Sequence, residues 1–480
     1  MVKFPRWAFV LFAISATGLS YYFSVGLNGF GPLVWIAPIP MLILAFNLAP
    51  RPTAIMAFST YLLGSLTLFS YLTRLMPIGT VIVLLLIPAL AFTLAVLATR
   101  YAVLEFNPWL AIAVFPSVWT SYEYLVSIFS PNGTAGSLAY TQTTFLPLIQ
   151  LVSLTGIWGV TFMLMLVPSG VAIAWHLRSN KKLAFSVLGV PLVLVIFIAA
   201  FGSIRLAQPV EGQSSIRVGL AATDTTIRYF RTKKPEEALP VVQAYANRAD
   251  QLAAQGAKII VLPEKFVGVT PDYTADVYGV LGAAARDHSV ILVAGLNRIG
   301  PEFSQNAAVV FSADGQVLTE YHKIHLVPGF EDRYQPGTKP VEFSAAGTRI
   351  GLAICKDMDF PDSFFQYARD GVGILVVPAW DFGQDDQWHA RMAITRGIEG
   401  GFAVVRSAQD GLLSVSDPQG RIIAEGRSAS SPDVLLISNV HPGSGRTLYS
   451  TSGDWVAWLS LLFLIGVCAM ATYRMGQTKK

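Results

Sequence analysis

Three side chains capable of acyl-transfer chemistry stand at the ends of separate apolar runs. Glu264 follows the run IIVLP, Lys323 lies in the alternating segment TEYHKIHLVP, and Cys355 ends the run RIGLAIC. If they meet, the glutamate can remove the thiol proton, the thiolate can attack an acyl carbon, and the ammonium can stabilise the oxyanion. Each residue also has an ordinary interpretation, because strand-end cysteines are commonly inert apolar residues, Pro-Glu is typical of turns, and lysines often protect sheet edges. Spacing along the chain does not decide between these interpretations.

The segments that carry these residues belong to a predicted α/β domain over residues 211–445. Helix-like stretches at 235–255 and 385–401 lie between short β-branched runs, a pattern typical of a layered α/β fold. Asp-Gly at 314–315 and Asp-Pro-Gln-Gly at 417–420 predict the turns of two antiparallel hairpins. The runs that predict strands are SIRVGLAA, AKIIVLPE, SVILVAGL, AAVVFSA, RIGLAIC, VGILVVPA and FAVVRSA.

Composition indicates that much of the remaining chain is in a membrane. Hydrophobic residues make up 53% of the sequence and charged residues 13%, against roughly 25% charged in ordinary soluble domains. Apolar runs near the roughly 20 residues that cross the hydrocarbon core predict a transmembrane helical domain over residues 1–203, with about seven spans, and a C-terminal transmembrane helix at 455–473. The seven spans are 8–25, 31–49, 54–73, 79–99, 109–128, 156–175 and 183–202; Pro38 and Pro40 interrupt the second.

Loop charges predict the orientation of these spans. With the N-terminus inside, ten Lys and Arg residues fall in cytoplasmic segments and two, Arg74 and Arg205, in external ones. This positive-inside bias predicts that the α/β domain lies outside the cytoplasm, on the periplasmic face of a bacterial inner membrane. The ten residues are Lys3, Arg6, Arg51, Arg100, Arg178, Lys181, Lys182, Arg474, Lys479 and Lys480.

Several other function classes are disfavoured. The net charge of +4, without a basic cluster interleaved with aromatic residues, argues against a nucleic-acid partner. The two cysteines, Cys355 and Cys468, give no disulfide framework, and no Cys/His spacing matches a zinc site. Asp385, Asp386 and His389 could suggest a metal cluster, but we interpret them as the solvated start of a helix. No metal and no cofactor is therefore predicted.

Longer stretches resemble a known family. LPE, YHKIHLVP and ICKDMDFP are similar to the three signature segments of the nitrilase, or carbon–nitrogen hydrolase, superfamily. VWTSYEYL, PLIQLVSLTGIWGVTF, ARMAITRGIEGGFAVVRSAQDGLLSVSDPQGRIIAE and TLYSTSGDWVAWLSLL resemble segments of the apolipoprotein N-acyltransferase family, and they occur in its order. The resemblance implies a multi-span α-helical membrane domain joined to a nitrilase-like α-β-β-α sandwich.

The resemblance also implies roles for particular residues. The catalytic Glu-Lys-Cys triad of the family falls on Glu264, Lys323 and Cys355, and a further essential glutamate falls on Glu331 in HLVPGFEDR. Asp357 takes a supporting position that is acidic in many relatives. The chain departs from the family where Lys356 replaces a common Tyr, where PGFEDRYQPG replaces PFGEYVP, and near SPNGTAG, which lacks Phe-Pro-Trp.

The implied reaction has two halves that share one nucleophile. A phospholipid donates its acyl chain to Cys355 as a thioester, and the N-terminal amine of a diacylglyceryl apolipoprotein then takes the acyl chain, which implies ping-pong kinetics. Neither half needs a metal or nucleotide. Two alternatives stay open: a membrane-tethered amidase or other carbon–nitrogen hydrolase, in which water is the acceptor, and a non-catalytic membrane paralogue, against which the joint presence of the three triad residues argues.

Four further residues attract functional hypotheses. Trp380, Phe382 and Trp388 follow the strand after the nucleophile and either line an acyl groove or pack internally. Glu123 lies within an apolar span, where an ionisable residue is a functional candidate by default. A position near the membrane interface, or hydrogen bonding inside the helical bundle, is the equally weighted alternative for Glu123.

Overall fold

The computed structural model describes residues 6–209, 214–428 and 433–477. Lys3, Lys479 and Lys480, which contribute to the predicted orientation, and the predicted domain start at 211 lie outside these residues. The chain divides into two compact units. A helical unit comprises the chain up to Ser130, Gly136–Ile204 and the chain from Asp454 onwards, and an α/β unit comprises Pro131–Ala135 and Arg205–Gly453.

Eleven α-helices, numbered along the chain, begin in the described part of the helical unit. Among the residues that the structure describes, six stretches are long and apolar enough to cross a membrane: Trp7–Ser24, Pro50–Leu75, Ile78–Glu105, Ile157–His176, Lys181–Ala207 and Trp455–Gln477. The helices are α1 (Arg6–Ser24), α2 (Pro38–Ala45), α3 (Pro50–Ser65), α4 (Phe69–Leu75), α5 (Ile78–Glu105), α6 (Pro108–Phe129), α7 (Leu146–Ile149), α8 (Val152–Thr155), α9 (Ile157–His176), α10 (Lys181–Ala207) and α16 (Trp455–Gln477).

The second predicted span, 31–49, is wrong as a single membrane-crossing helix. It contains a five-residue 3-10 turn, Gly31–Trp35, followed by the eight-residue α2. Pro38 begins α2, and Pro40 follows within its first turn. Neither proline has a backbone N–H, so neither can donate the hydrogen bond that would join α2 to the preceding 3-10 turn as one continuous helix. Eight helical residues extend only about 12 Å, well short of the roughly 30 Å hydrocarbon core.

Glu123 on α6 is hydrogen-bonded inside the helical bundle. Its Oε1 accepts from Trp119 Nε1 at 2.8 Å and from the backbone N–H of Leu138 at 2.9 Å. Its Oε2 accepts from Ser137 Oγ at 2.6 Å and Thr161 Oγ1 at 2.8 Å. Both carboxylate oxygens are thus occupied by protein donors, as a buried polar group requires. Of the two interpretations of Glu123, the structure supports the internal hydrogen-bonding role.

The α/β unit contains thirteen described strands and five α-helices. The strands are β1 (Ile216–Ala222), β2 (Ile259–Val261), β3 (Gly268–Val269), β4 (Ile291–Ile299), β5 (Ser304–Phe311), β6 (Val317–His322), β7 (Val341–Ala345), β8 (Thr348–Leu352), β9 (Ile374–Trp380), β10 (Ala403–Gln409), β11 (Leu412–Ser416), β12 (Ile422–Arg427) and β13 (Val434–Val440). The helices are α11 (Pro235–Ala254), α12 (Thr274–Asp287), α13 (Asp362–Arg369), α14 (Asp386–Gly400) and α15 (Leu448–Ser452).

These elements form the α-β-β-α sandwich expected from the sequence. The first sheet has the order β13-β1-β2-β4-β5-β6, with β3 paired to β4, and the second has the order β12-β11-β10-β9-β8-β7. One apolar cluster fills the space between the sheets. A second cluster packs α11 and α12 on the first sheet, and a third packs α13 and α14 on the second. Strands buried on both faces explain the continuous apolar runs of the sequence.

Strand direction brings particular chain segments to one edge of each sheet. In the first sheet β2 is parallel to β4, and β6 has the same direction because two antiparallel pairings separate it from β4. In the second sheet β8, β9 and β10 are parallel to one another. Residues that directly follow β2 and β6 therefore meet at one edge of the first sheet, and those that follow β8, β9 and β10 meet at one edge of the second.

Candidate active site

Two short contacts join these edges of the two sheets. Glu264, three residues after β2, donates its backbone N–H to the carbonyl of Ala379 in β9 at 3.2 Å. The side-chain amide of Gln409, the last residue of β10, donates to the backbone carbonyl of Glu264 at 2.6 Å. The backbone of Glu264 is therefore fixed against the second sheet, where Cys355 follows β8.

Lys323 lies between two buried carboxylates. Its Nζ is 2.9 Å from Glu264 Oε1 and 3.0 Å from Glu331 Oε2, and all three side chains are at most 2% exposed. Burial alone would lower the pKa of Lys323, but the charges of Glu264 and Glu331 outweigh it and hold that pKa well above its usual value. Lys323 is thus a fixed cation, available to stabilise negative charge that develops on a substrate oxygen.

Two residues that the sequence analysis missed complete this ion cluster. Lys265 Nζ is 2.5 Å from Glu331 Oε1 and 3.8 Å from Glu264 Oε1. The side-chain amide of Asn306 donates to Glu264 Oε1 at 2.5 Å and to Glu331 Oε1 at 2.7 Å. Asn306 stands directly before the apolar run AAVVF of β5 and Lys265 directly follows the predicted base, and these were the available sequence signals. With two lysines against two carboxylates, the cluster is electrically balanced.

Glu331 is held as a carboxylate by this cluster. Burial would raise its pKa, but Lys323 and then Lys265 lower it far below the usual range, helped by the backbone N–H of Val327 at 2.9 Å. Glu331, to which the family resemblance gives an essential role, lies between β6 and β7, in direct contact with both lysines and with no exposed surface.

Cys355 begins a 3-10 turn, Cys355–Asp359, in a strained conformation. Its φ of +44° lies in the left-handed region that residues with a side chain rarely adopt. Its Sγ donates to the backbone carbonyl of Trp380 at 3.3 Å, and the residue is partly exposed. Burial of the thiol and the nearby charge of Glu264 raise its pKa, while Lys323 partly offsets them. The resting cysteine is therefore a neutral thiol, and a nucleophilic role would require a base to remove its proton.

Glu264 offers one carboxylate oxygen for that task. Lys323 and Asn306 occupy Oε1, whereas Oε2 is buried without a hydrogen-bond partner among the described residues. A buried carboxylate oxygen without a hydrogen-bond partner destabilises the folded protein, so its presence calls for an explanation such as a catalytic role. Proton transfer from the thiol is a use that the electrostatic coupling between Glu264 and Cys355 supports.

A buried ion pair stands close to the thiol. Arg406 Nη1 donates to Asp381 Oδ2 at 3.0 Å, and the carboxylate also accepts the backbone N–H of Leu412 at 3.1 Å. Asp381 raises and Arg406 lowers the pKa of Cys355, so the two charges act on the thiol in opposite directions. This pair fixes the loop after β9 without adding a net charge.

Asp357 holds the Cys355 turn from within. The carboxylate is fully buried and accepts the backbone N–H groups of Ile354 at 2.9 Å and His325 at 2.8 Å, together with the hydroxyl of Tyr321 at 2.7 Å. It thereby ties the residue before Cys355 to the segment after Lys323. The supporting role expected of Asp357 has a physical basis in these contacts.

Lys356 forms a buried polar pair. Its Nζ donates to Asn132 Oδ1 at 3.1 Å and is 3.4 Å from Asp359 Oδ2, and its side chain is 10% exposed. The positive charge that follows Cys355 is therefore balanced by Asp359. This departure from the family pattern is accommodated inside the fold.

The three aromatic residues considered for an acyl groove differ in their surroundings, and all are partly exposed. Trp380 packs edge-on against Phe230, with ring centroids 4.7 Å apart, and its carbonyl accepts from Cys355. Phe382 packs on Phe330 at 5.3 Å. Trp380 is thus next to the thiol, and a groove role for it, for Phe382 and for Trp388 stays a prediction.

The solvated helix start predicted at Asp385, Asp386 and His389 is wrong. Asp385 is 1% and Asp386 2% exposed. Asp385 accepts the backbone N–H of Phe382 at 2.9 Å and pairs with His389 Nε2 at 3.2 Å, whereas Asp386 pairs with Arg427 at 2.7 Å. Across residues 6–209, 214–428 and 433–477, no group of three or more His, Cys, Asp or Glu side chains could hold a metal ion. The carboxylates fasten the start of α14 to the loop before it and to Arg427 of β12.

This pairing predicts a pH dependence of stability. Burial would lower the pKa of His389, but Asp385 raises it to about 9. A raised folded-state pKa contributes stability that is fully present below the unfolded value of about 6.5 and is lost as pH rises through about 9. We expect His389→Gln to cost about 2–3 kcal/mol near pH 6 and much less near pH 10. Melting temperatures of both proteins across this range check the expectation, with the surface variant His288→Gln as control; a constant difference would contradict it.

Comparison with known proteins agrees with this architecture. Residues 17–170 match the apolipoprotein N-acyltransferase N-terminal domain, and residues 219–443 match the carbon–nitrogen hydrolase domain. The apolipoprotein N-acyltransferase of Geobacter metallireducens is 26% identical, over 98% of this chain and 96% of its own length. The chain belongs to the apolipoprotein N-acyltransferase family.

Further matches are of two kinds. The apolipoprotein N-acyltransferase of Gloeobacter violaceus is 26% identical and is covered over 90% of its length, with 92% of this chain matched. Among solved structures, an amidase from Nesterenkonia sp. aligns with a TM-score of 0.41 and 24% identity, covering 49% of this chain and 94% of its own. As in its family, this chain is an acyltransferase with a nitrilase-type domain, and its apolar helices fit a membrane protein.

Proposed function

We propose that this protein transfers an acyl chain from a phospholipid to the N-terminal amine of a diacylglyceryl apolipoprotein through a thioester on Cys355. The single observation that carries the mechanism is the Glu264–Lys323–Glu331 cluster beside a thiol held in a strained turn. Membership in a family of N-acyltransferases supports the choice of donor and acceptor.

The first half-reaction forms the thioester. Glu264 Oε2 takes the proton of the Cys355 thiol as the sulfur attacks the ester carbonyl carbon of the phospholipid. The C–S bond forms, and the carbonyl oxygen becomes an oxyanion that Lys323 stabilises. The intermediate then collapses: the ester C–O bond breaks, and Glu264 returns the proton to the departing lysophospholipid oxygen. The neutral resting thiol fits this sequence, because proton removal and attack coincide.

The second half-reaction uses the same groups. The neutral amine of the lipoprotein attacks the thioester carbonyl carbon and loses a proton to Glu264. The C–N bond forms, the C–S bond breaks, and the proton returns to the sulfur, which regenerates the thiol. Glu331 and Lys265 take no direct part in these steps. Glu331 holds Lys323 charged and in place, and Lys265 holds Glu331.

The acyl donor is water-insoluble, so the reaction requires a site that reaches the bilayer surface. In this proposal the helical unit anchors the chain in the bacterial inner membrane, and the α/β unit lies on the periplasmic side, where exported lipoproteins are found. Counted over the five candidate crossings that precede the α/β unit, with the N-terminus inside, nine Lys and Arg residues fall on the cytoplasmic side and three, Arg51, Arg100 and Arg205, outside. This positive-inside bias supports that orientation.

A reporter insertion tests the orientation. We expect a periplasm-dependent reporter placed near residue 300 to be active and a cytoplasm-dependent one to be silent, because five of the six stretches able to cross a membrane, an odd number, precede the strands of the α/β unit. The same pair of reporters at the C-terminus should give the reverse result. Cytoplasmic activity near residue 300 would remove access to exported lipoproteins and refute the proposed function.

Complementation tests the reaction itself. We expect this gene product to rescue a bacterial strain depleted of its own apolipoprotein N-acyltransferase, and mass spectrometry of a lipoprotein terminus to show the amide-linked acyl chain. The Cys355→Ala protein, at equal abundance, should not rescue. Purified protein that releases fatty acid from phospholipid to water and never acylates the lipoprotein amine would instead support the tethered hydrolase.

A further inference from the structure

The turn that carries Cys355 contacts a segment from a distant part of the sequence. Within the α/β unit, Thr134 donates twice to the backbone carbonyl of Asp359, from its backbone N–H at 3.0 Å and from Oγ1 at 2.7 Å. Gly133 has φ +51°, and a Cβ there would stand 2.6 Å from the same carbonyl oxygen. Asn132 accepts from Lys356 at 3.1 Å. Three consecutive residues of the loop thus contact the Cys355–Asp359 turn.

Arg396 of α14 connects this loop to the same turn. The side chain is 1% exposed and pairs with Glu399. Its Nε donates to the backbone carbonyl of Met358 at 3.0 Å, and its Nη2 donates to Thr134 Oγ1 at 2.6 Å. The planar guanidinium therefore anchors one carbonyl of the turn directly and a second through the Thr134 hydroxyl.

These contacts matter because the turn begins with a strained residue. A non-glycine residue with positive φ costs on the order of 1–3 kcal/mol and persists only where its surroundings over-determine it. Asp357 holds the residue before Cys355 through the backbone N–H of Ile354. Thr134 and Arg396 hold the carbonyls of Met358 and Asp359 at the other end of the turn, so Cys355 is fixed between two anchored ends.

We propose that Thr134 and Arg396 are positioning residues for the nucleophile, which keep Cys355 in the left-handed conformation that couples its thiol to Glu264 and Lys323. We call this pair the turn clamp. Half of the clamp, Thr134, lies outside the matched hydrolase region 219–443, so the nucleophile turn is supported by the segment that follows α6. The inference rests on the proposed role of Cys355 as nucleophile.

Removing one hydroxyl tests the clamp. In full-length protein carrying Cys468→Ala, so that Cys355 is the only thiol, we expect Thr134→Val to slow iodoacetamide alkylation and acyl-enzyme formation from labelled phospholipid by about 10- to 100-fold, the scale that misplacement of about 1 Å produces. Thr134→Ser should restore both rates to within about twofold, because it restores the hydroxyl group.

The matched control removes a similar bond elsewhere. Thr274 Oγ1 donates to the carbonyl of Thr270 at 2.8 Å at the start of α12. We expect Thr274→Val to shift the melting temperature about as much as Thr134→Val but to leave both rates unchanged. Wild-type rates in Thr134→Val, equal slowing in Thr274→Val, or failure of Thr134→Ser to rescue would each overturn the proposal.

A double variant asks whether the two residues act on one turn. Arg396→Lys keeps a positive charge beside Glu399 but loses the planar fork that serves both Met358 and Thr134. Combined with Thr134→Val, it should slow alkylation by clearly less than the product of the single effects; multiplicative effects would overturn a shared clamp. Wild-type protein that is alkylated at Cys355 yet never forms a thioester would contradict the proposed function and leave the clamp standing.

Discussion

Replacing Cys355 by serine is expected to abolish the covalent acyl-enzyme while the protein folds and enters the membrane normally. The serine has nearly the same size, and the cysteine is partly exposed, so packing should change little. A serine hydroxyl is a far weaker nucleophile than a thiol from which Glu264 removes the proton. We expect the rate of acyl transfer to fall by roughly a thousandfold or more.

The measurement is direct. Purified protein is incubated with phospholipid labelled in its acyl chain, and the label on the protein is tested for release by hydroxylamine, which cleaves thioesters. Wild type and Cys468→Ala, which removes the other cysteine, should carry the label, and Cys355→Ser should not. Normal N-acylation of lipoprotein by Cys355→Ser would exclude this nucleophile.

Replacing Lys323 by methionine is expected to reduce both activity and stability strongly. The substitution removes the cation that contacts Glu264 and Glu331, and it leaves two buried carboxylates with Lys265 as their nearest cation. Breaking a buried ion pair from one side typically costs about 3–5 kcal/mol. The oxyanion would also lose its charged partner, so acyl-enzyme formation should become undetectable.

The pH dependence of this variant provides a specific check. Without Lys323, one buried carboxylate should bind a proton more readily in the folded than in the unfolded state, so acidification should stabilise the variant relative to wild type. The difference in melting temperature between wild type and Lys323→Met, measured from pH 8 to pH 5, should therefore become smaller as the pH falls. Glu331→Gln added to Lys323→Met should recover part of the stability without recovering activity.

The exposed Lys258→Met provides the control, with an expected change within about 0.5 kcal/mol. A Lys323→Met protein as stable as wild type, with a pH-independent difference, would contradict the balanced ion cluster described for this site.

Local sequence signals predicted much of the α/β unit. The seven β-branched runs correspond to β1, β2, β4, β5, β8, β9 and β10, and the two hairpin turns join β5 to β6 and β11 to β12. Such runs and turns carry their own conformational preference, so no tertiary information is needed to find them. The two-residue β3 was missed because two residues carry almost no pattern, and β13 because its pairing with β1 joins residues more than 200 positions apart.

In the helical unit, too, local sequence predicted some features and only the tertiary structure decided others. Apolar runs of sufficient length predicted the long helices, since helix formation inside a bilayer depends on length and hydrophobicity. The interrupted segment at 31–49 required the structure, because proline leaves a kink, a turn or a break equally open. The hydrogen bonding of Glu123 also required it, since its donors are distributed over α6, the following turn and α9.

At the candidate site, the sequence alone determined the residue types and, with the family resemblance, the identity of Glu264, Lys323, Cys355 and Glu331 as candidates. Only the tertiary structure decided their electrostatic state. Because β5 is antiparallel to β4 and β6, its start lies at the same end of the sheet as the ends of β2 and β6. Lys323 and Asn306 are thereby each placed between the same two carboxylates. The tertiary structure also brings Thr134 into contact with Asp359 in the Cys355–Asp359 turn, although the two residues are 225 positions apart along the chain. Such contacts depend on the order of the strands in the sheet and on how distant parts of the chain pack together, and the local sequence encodes neither.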